Sequence, residues 1–95
     1  MEMYGCKLSV VFEEYADNGR KAIRLIDKED GMPFCTATVN VPEITLADDE
    51  VIIKNYSENA GILELLEEAG YIEDTGDIVF LGQAEANICK LLKTT

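Results

Sequence analysis

EVIIKNYSENAGILELLEEAGYIEDTGDIVFL, residues 50–81, is the stretch whose reading decides the fold. It divides into an apolar run at Val51–Lys54, a helical segment from Glu58 to Ala69, and a second apolar run at Ile78–Leu81, so it reads as strand, helix, strand. Ile62, Leu65, Leu66 and Ala69 recur at i, i+3, i+4 and i+7, the period of an amphipathic helix. Ser57 suits the N-cap, and Glu58 suits the first turn, where the helix dipole favours an anion. Gly70 suits the left-handed position after the helix. Tyr71 then folds back over Leu66 to complete a Schellman end.

The same stretch holds the strongest charge anomaly in the chain. From Glu43 to Glu85 there are twelve carboxylates and one base, Lys54. On the helix, Glu64 and Glu68 stand at i, i+4 and Glu64 and Glu67 at i, i+3, with no lysine or arginine between Ser57 and Gly70. Each like-charged pair costs roughly 0.2–0.5 kcal/mol. Glu67 and Glu68 also occupy the last turn, where the dipole prefers cations. Residues that oppose the local rules without a structural return point to function. The candidate partner-binding residues are therefore Glu64, Glu67 and Glu68, the loop Asp48-Asp49-Glu50, and Glu73, Asp74 and Asp77. The competing explanation is a solvated acidic face that keeps a small protein in solution.

Towards the N-terminus, Cys6, Leu8, Val10 and Phe12 alternate with Lys7, Ser9 and Glu13, which predicts a strand over Lys7–Tyr15. Asn18-Gly19 is a hairpin turn signal, and Lys21–Asp27 forms the returning strand. Asp30-Gly31 with Pro33 makes a second turn. From Phe34 to Val41, Cys35, Ala37, Val39 and Val41 point one way. Thr36, Thr38 and Asn40 point the other, as on a solvent-facing strand surface. These three strands form an antiparallel meander. Beyond the helix, Tyr71-Ile72 is a short extended piece, Glu73–Asp77 turns, and Ile78–Leu81 reads as a short buried strand. Residues 84–92 fit either a helix or a strand. The β-branched and cysteine residues at their centre favour a strand that closes the edge of the first sheet. The predicted architecture is α+β: a single domain over residues 1–95, with one largely antiparallel sheet of five to six strands and one helix packed on one face.

Composition narrows the function. With no histidine in 95 residues, the usual general base and the Ser-His and Cys-His nucleophile pairs are missing. No Walker loop, GxGxxG or zinc-protease motif occurs. The expectation is a protein that is not an enzyme, with no catalytic residues, cofactor or metal. The acidic loops at 48–50 and 73–77 lack EF-hand spacing, which leaves weak calcium binding as a minor alternative. Cys6, Cys35 and Cys89 are widely spaced and odd in number, so they read as small buried apolar residues rather than a disulfide framework. A formal charge of −11 repels nucleic acid and anionic membranes, which leaves a basic protein surface as the electrostatic partner. The start of the chain lacks the basic and apolar regions of a signal peptide, and no apolar run is long enough to span a membrane, so a cytoplasmic location is expected. The bases of the first hairpin (Lys7, Arg20, Lys21, Arg24 and Lys28) stand among seven acids and suit cross-strand pairing. They also suit a homodimer in which they meet the acidic half of a second copy. Leu63 is an apolar anchor candidate beside Glu67, or else lines the edge of the core.

Three runs carry a resemblance: Phe34 to Glu43 (FCTATVNVPE), Asp49 to Tyr56 (DEVIIKNY) and Leu65 to Gly76 (LLEEAGYIEDTG). In these the chain resembles a family of small uncharacterised acidic proteins of bacteria, their phages and mobile elements. The resemblance implies no activity and no catalytic residues. It implies a mobile-element setting, where small acidic proteins often inhibit host nucleases by filling nucleic-acid-binding grooves. The expected function is a non-enzymatic acidic binding module, an inhibitor of anti-CRISPR or anti-restriction type that covers a basic surface of a host defence nuclease. The alternative is a self-associating structural or regulatory module that uses a sheet edge, its acidity serving solubility.

Overall fold

A computed structural model describes residues 1–56 and 59–93. It has two sheets, where the sequence predicted one. The first has the order β1-β2-β3-β4, formed by Glu2–Met3, Cys6–Glu14, Lys21–Asp27 and Pro33–Thr36. The second has the order β5-β7-β6, formed by Glu50–Ile53, Ala84–Leu91 and Ile72–Leu81. One short helix, α1 (Ile62–Glu68), leads from β5 to β6. All strand pairs are antiparallel.

The division into two sheets is made at Ala37-Thr38-Val39. The expected strand 34–41 pairs with β3 only as far as Thr36. The Ala37 N–H still donates to Ile23 O (2.8 Å), but the Val39 N–H donates to Ile52 O (3.0 Å) and the Lys54 N–H to Ala37 O (2.8 Å). The segment thus crosses from β3 to the outer side of β5, with Thr38 opposite Ile53. Thr36 is exposed as expected, but the crossing buries Thr38 between the two sheets and overturns the solvent-facing reading there. Thr38 is 4% exposed. Its hydroxyl is 2.8 Å from Tyr15 Oη and accepts the Ile23 N–H at 3.2 Å. That satisfies a hydroxyl and a backbone donor which burial would otherwise leave at a cost of about 1–3 kcal/mol each.

The hairpins follow their turn signals. β2 and β3 pair from Leu8 opposite Asp27 to Glu14 opposite Lys21, around the Asn18-Gly19 turn. Hairpin charges pair with each other, Lys21 with Glu14 (2.9 Å) and Arg24 with Glu13 (3.2 Å). Arg20 reaches across to the carbonyls of Val41 (2.9 Å) and Ile44, tying the 40–47 loop to the hairpin. A strand absent from the sequence reading, β1, pairs with the start of β2 through the two-residue turn Tyr4-Gly5. Both turn residues have positive φ (52° and 78°), the type I′ geometry that matches strand twist.

The core lies between the sheets. Leu8, Ile23 and Leu25 come from the first sheet, Val51, Ile53, Ile72, Cys89 and Leu91 from the second, and Ile62, Leu63 and Leu66 from α1. Leu63 is therefore a core residue. The helix is shorter than the predicted 58–69, and the Ser57 cap falls outside the described residues. Asn55 serves the helix start instead, its Oδ1 accepting the N–H groups of Gly61 (3.0 Å) and Leu63 (3.1 Å). The far end is the expected Schellman motif. Gly70, at φ 80°, donates to Glu67 O and Tyr71 donates to Leu66 O, both at 3.0 Å. A side chain at position 70 would strain that left-handed turn.

β6 differs most from expectation. The predicted turn at 73–77 is a bulge inside one ten-residue strand. Asp74 faces Cys89 and Ile78 faces Asn87, so Thr75, Gly76 and Asp77 together oppose Ile88. The apolar run after it is not buried. Val79 is buried, though on the face opposite the core cluster, and Ile78 is 44% and Phe80 67% exposed. The reason is the partner. β7 is the central strand of the second sheet, not the closing edge of the first, and the tip of the β6–β7 hairpin reaches past the core.

Candidate functional site

The nine candidate carboxylates do not share one face. Residues directly opposite in a sheet project to the same side, and the register of the second sheet sorts them. Glu50, Lys90 and Glu73 form one row across β5-β7-β6; Val51, Cys89 and Asp74 form the next, on the opposite face. Because Val51 and Cys89 belong to the core, Asp74 projects on the side where α1 packs.

On the helix side the carboxylates gather. Glu64, Glu67 and Glu68 are exposed on α1, with Ile62, Leu63 and Leu66 buried beneath. Glu67 Oε2 accepts the Asp74 N–H at 3.3 Å, which joins helix and strand. The bulge is held by its own polar groups. Asp74 Oδ1 accepts the Gly76 N–H (3.0 Å), and Thr75 Oγ1 donates to Ile88 O (2.7 Å) while accepting the Asp77 N–H (3.2 Å). Asp77 is left exposed on this braced loop. Among the described residues, Glu64, Glu67, Glu68, Asp74 and Asp77 make no ion pair within 4.0 Å.

The other face is partly neutralised. Lys90 stands between Glu50 and Glu73 and lies 3.9 Å from Asp49, both partners being about half exposed. A pair so long and so wet contributes little. Glu50 also accepts the Ala47 N–H (2.8 Å), closing the loop in which Asp48 stays exposed. That loop borders a hollow shared with Asn18, Gly19, Arg20 and Lys21. The hollow mixes both signs of charge, and its arginine is already committed to two backbone carbonyls.

Two placements lay outside the sequence reading, which expected three buried cysteines and finds Cys89 buried but Cys6 and Cys35 only half-buried. The cation missing from the last turn of α1 comes from the C-terminal segment. Lys93 Nζ donates to Ala69 O at 3.3 Å and sits 5.0 Å above the Tyr71 ring, so the dipole end is compensated from a distance. Cys89 is fully buried beneath the acidic cluster. Burial first, then the charges of Asp74 and Glu67, push its thiol up to about 12. Neither is visible as a local pattern. The spacing of Lys93 from Gly70 carries no period, and only the β6–β7 register brings Cys89 to Asp74.

No helix among the described residues is long and apolar enough to cross a membrane. Comparison with protein-family models, with curated proteins and with solved structures finds no match to this chain.

Proposed function

We propose that this chain is a non-enzymatic protein-binding module that presents the α1–β6 carboxylates to a basic surface. The observation that carries this reading is the unpaired cluster of Glu64, Glu67 and Glu68 beside Asp74, with Asp77 on the braced bulge. Of the first hairpin's cations, Lys21 and Arg24 pair with the hairpin's own acids and Arg20 is held by loop carbonyls, so these three do not answer it. Fixed carboxylates on a folded scaffold mimic a row of phosphates, and a nucleic-acid-binding groove is the surface with matching charge. This accords with the mobile-element setting that the resemblance implies, in which the partner is a host defence nuclease. The second row, Glu50 and Glu73 around Lys90 with Asp48 and Asp49, is weaker as a contact surface because a base stands in its middle.

The test is affinity capture from bacterial lysate with the wild type and with E64Q/E67Q/E68Q, washed at low and then high salt. The proposal expects a basic, nucleic-acid-binding partner that salt releases and the variant fails to hold. Equal capture by the variant, or partners without basic surfaces, would refute it. Self-association through a sheet edge remains the competing reading, because β6 is an edge strand. A tight dimer in sedimentation with no lysate partner would select it.

A further inference from the structure

Among the described residues, not every stretch of sheet edge has a strand partner. β1 is two residues long and covers β2 only as far as Leu8, and the open remainder of β2 ends in Glu13 and Glu14, charges of the kind that blunt an edge. β4 opens on Pro33, and its last carbonyl, Thr36 O, accepts Asn59 Nδ2 at 2.9 Å. The outer side of β5 is covered by Ala37-Thr38-Val39. Among the described residues, β6 ends the second sheet with no strand on its outer side. Its bulge interrupts the edge at Thr75–Asp77, but Ile78–Leu81 has no lysine, proline or inward charge of the kind that ordinarily blunts an edge.

Register shows which groups are open. Leu81 and Ala84 close the two-residue turn Gly82-Gln83 as a hydrogen-bonded pair. Opposite residues in an antiparallel ladder alternate between bonded and non-bonded, so Val79 spends its N–H and C=O on β7 as Leu81 does. Ile78 and Phe80 turn theirs to the open edge. The same two residues carry the exposed apolar side chains, at 44% and 67%. Around them stand Asp77, next in the chain, and Glu85, directly opposite Phe80, both exposed. The chain has no base between Lys54 and Lys90.

We propose that the Ile78–Leu81 edge is a docking strand for an extended basic segment of a partner protein. Strand addition supplies main-chain bonds to Ile78 and Phe80, their side chains meet alternate apolar residues of the incoming strand, and Asp77 and Glu85 select lysine or arginine at the flanks. A second copy of this chain is a poor occupant, since edge-to-edge pairing brings Asp77 and Glu85 of both copies together with no base to offset them. The basic character of the partner rests on the function proposed above; the docking edge rests on the sheet geometry.

The probe is a synthetic peptide of alternating lysine and valine, set against its glutamate-valine counterpart, with amide shifts and hydrogen exchange read on the full chain. The lysine peptide is expected to slow exchange at the Ile78 and Phe80 amides, and the glutamate peptide to leave them unchanged. Phe80→Pro removes an edge N–H without touching a bond to β7, and is expected to weaken binding by roughly tenfold, as the loss of one backbone bond implies. Phe80→Lys, which leaves the backbone intact and adds a repelling charge, should weaken it similarly. Shifts confined to α1, with exchange at Ile78 and Phe80 unaltered, would overturn the docking edge while leaving the acidic-surface function standing. Failure of the lysine peptide to bind anywhere would overturn both. Protection of the same amides without peptide, together with a sedimenting dimer, would overturn the basic partner in favour of a second copy.

Discussion

Replacing Glu64, Glu67 and Glu68 with glutamine tests whether the cluster is kept at the expense of stability. The triple variant removes two like-charged helical pairs, each costing about 0.2–0.5 kcal/mol. It also takes two anions from the negative end of α1, where each costs about 0.3 kcal/mol on an exposed surface, and one, Glu64, from the first turn, where an anion is favourable by about the same amount. Lys93, donating to Ala69 O, already offsets part of the dipole and lowers that second gain. The Asp74 N–H loses nothing, because a glutamine carbonyl can accept it as Glu67 does. The expected result is a variant more stable than wild type by about 0.5–1 kcal/mol, or roughly 2–8 °C in Tm for a domain of this size. Urea melts at low salt measure it, and the gain should shrink at molar salt as screening removes the repulsion. A variant of unchanged or lower stability at low salt would refute the reasoning, because the carboxylates would then have structural partners.

Three further outcomes follow from the packing. Thr38→Val strips the buried hydroxyl that meets Tyr15 and the Ile23 N–H, and should cost about 1–3 kcal/mol in urea unfolding, more than Tyr15→Phe. Asn55→Ala removes the acceptor for Gly61 and Leu63, and should cost about 0.5–2 kcal/mol, as loss of a helix cap does. Raised exchange at the Gly61 and Leu63 amides would mark its origin. Cys89 has a folded thiol pKa of about 12 against an ordinary 9.0, so its neutral form is favoured by the fold. That contribution is whole below pH 9 and is lost as pH rises towards 12. Wild-type stability should therefore fall more steeply across that window than that of Cys89→Ala, and iodoacetamide at pH 8 should modify Cys6 before Cys89.

What the sequence revealed and what it hid have physical causes. Turns were legible because their chemistry is local: Asn18-Gly19, Asp30-Gly31 and the Gly70-Tyr71 helix end each act within a few residues. The first hairpin, the helix stripe and the acidic excess were legible for the same reason. The two-sheet architecture was not, because it depends on Val39 bonding to Ile52 and Ala37 to Lys54, across loops too long for any local signal. Alternation in 34–41 could not say that the segment leaves β3 after Thr36 and buries Thr38 along with Ala37. The run Ile78–Leu81 misled because a continuous apolar stretch reads as interior, whereas here alternate side chains, Ile78 and Phe80, lie on an exposed face of an edge strand. At the candidate site, the helix carboxylates could be read from their spacing. Their separation from Glu50 and Glu73 by the thickness of a sheet could be seen only in the register.

The central claim is that the α1–β6 carboxylates occupy a surface that otherwise binds nucleic acid. The most direct measurement is competition for the partner recovered by affinity capture, with a labelled nucleic acid on that partner and this protein as displacer. Wild type should release the nucleic acid stoichiometrically, and E64Q/E67Q/E68Q should need a far higher concentration. A ternary complex with the nucleic acid still bound, or equal displacement by the two proteins, would contradict the account.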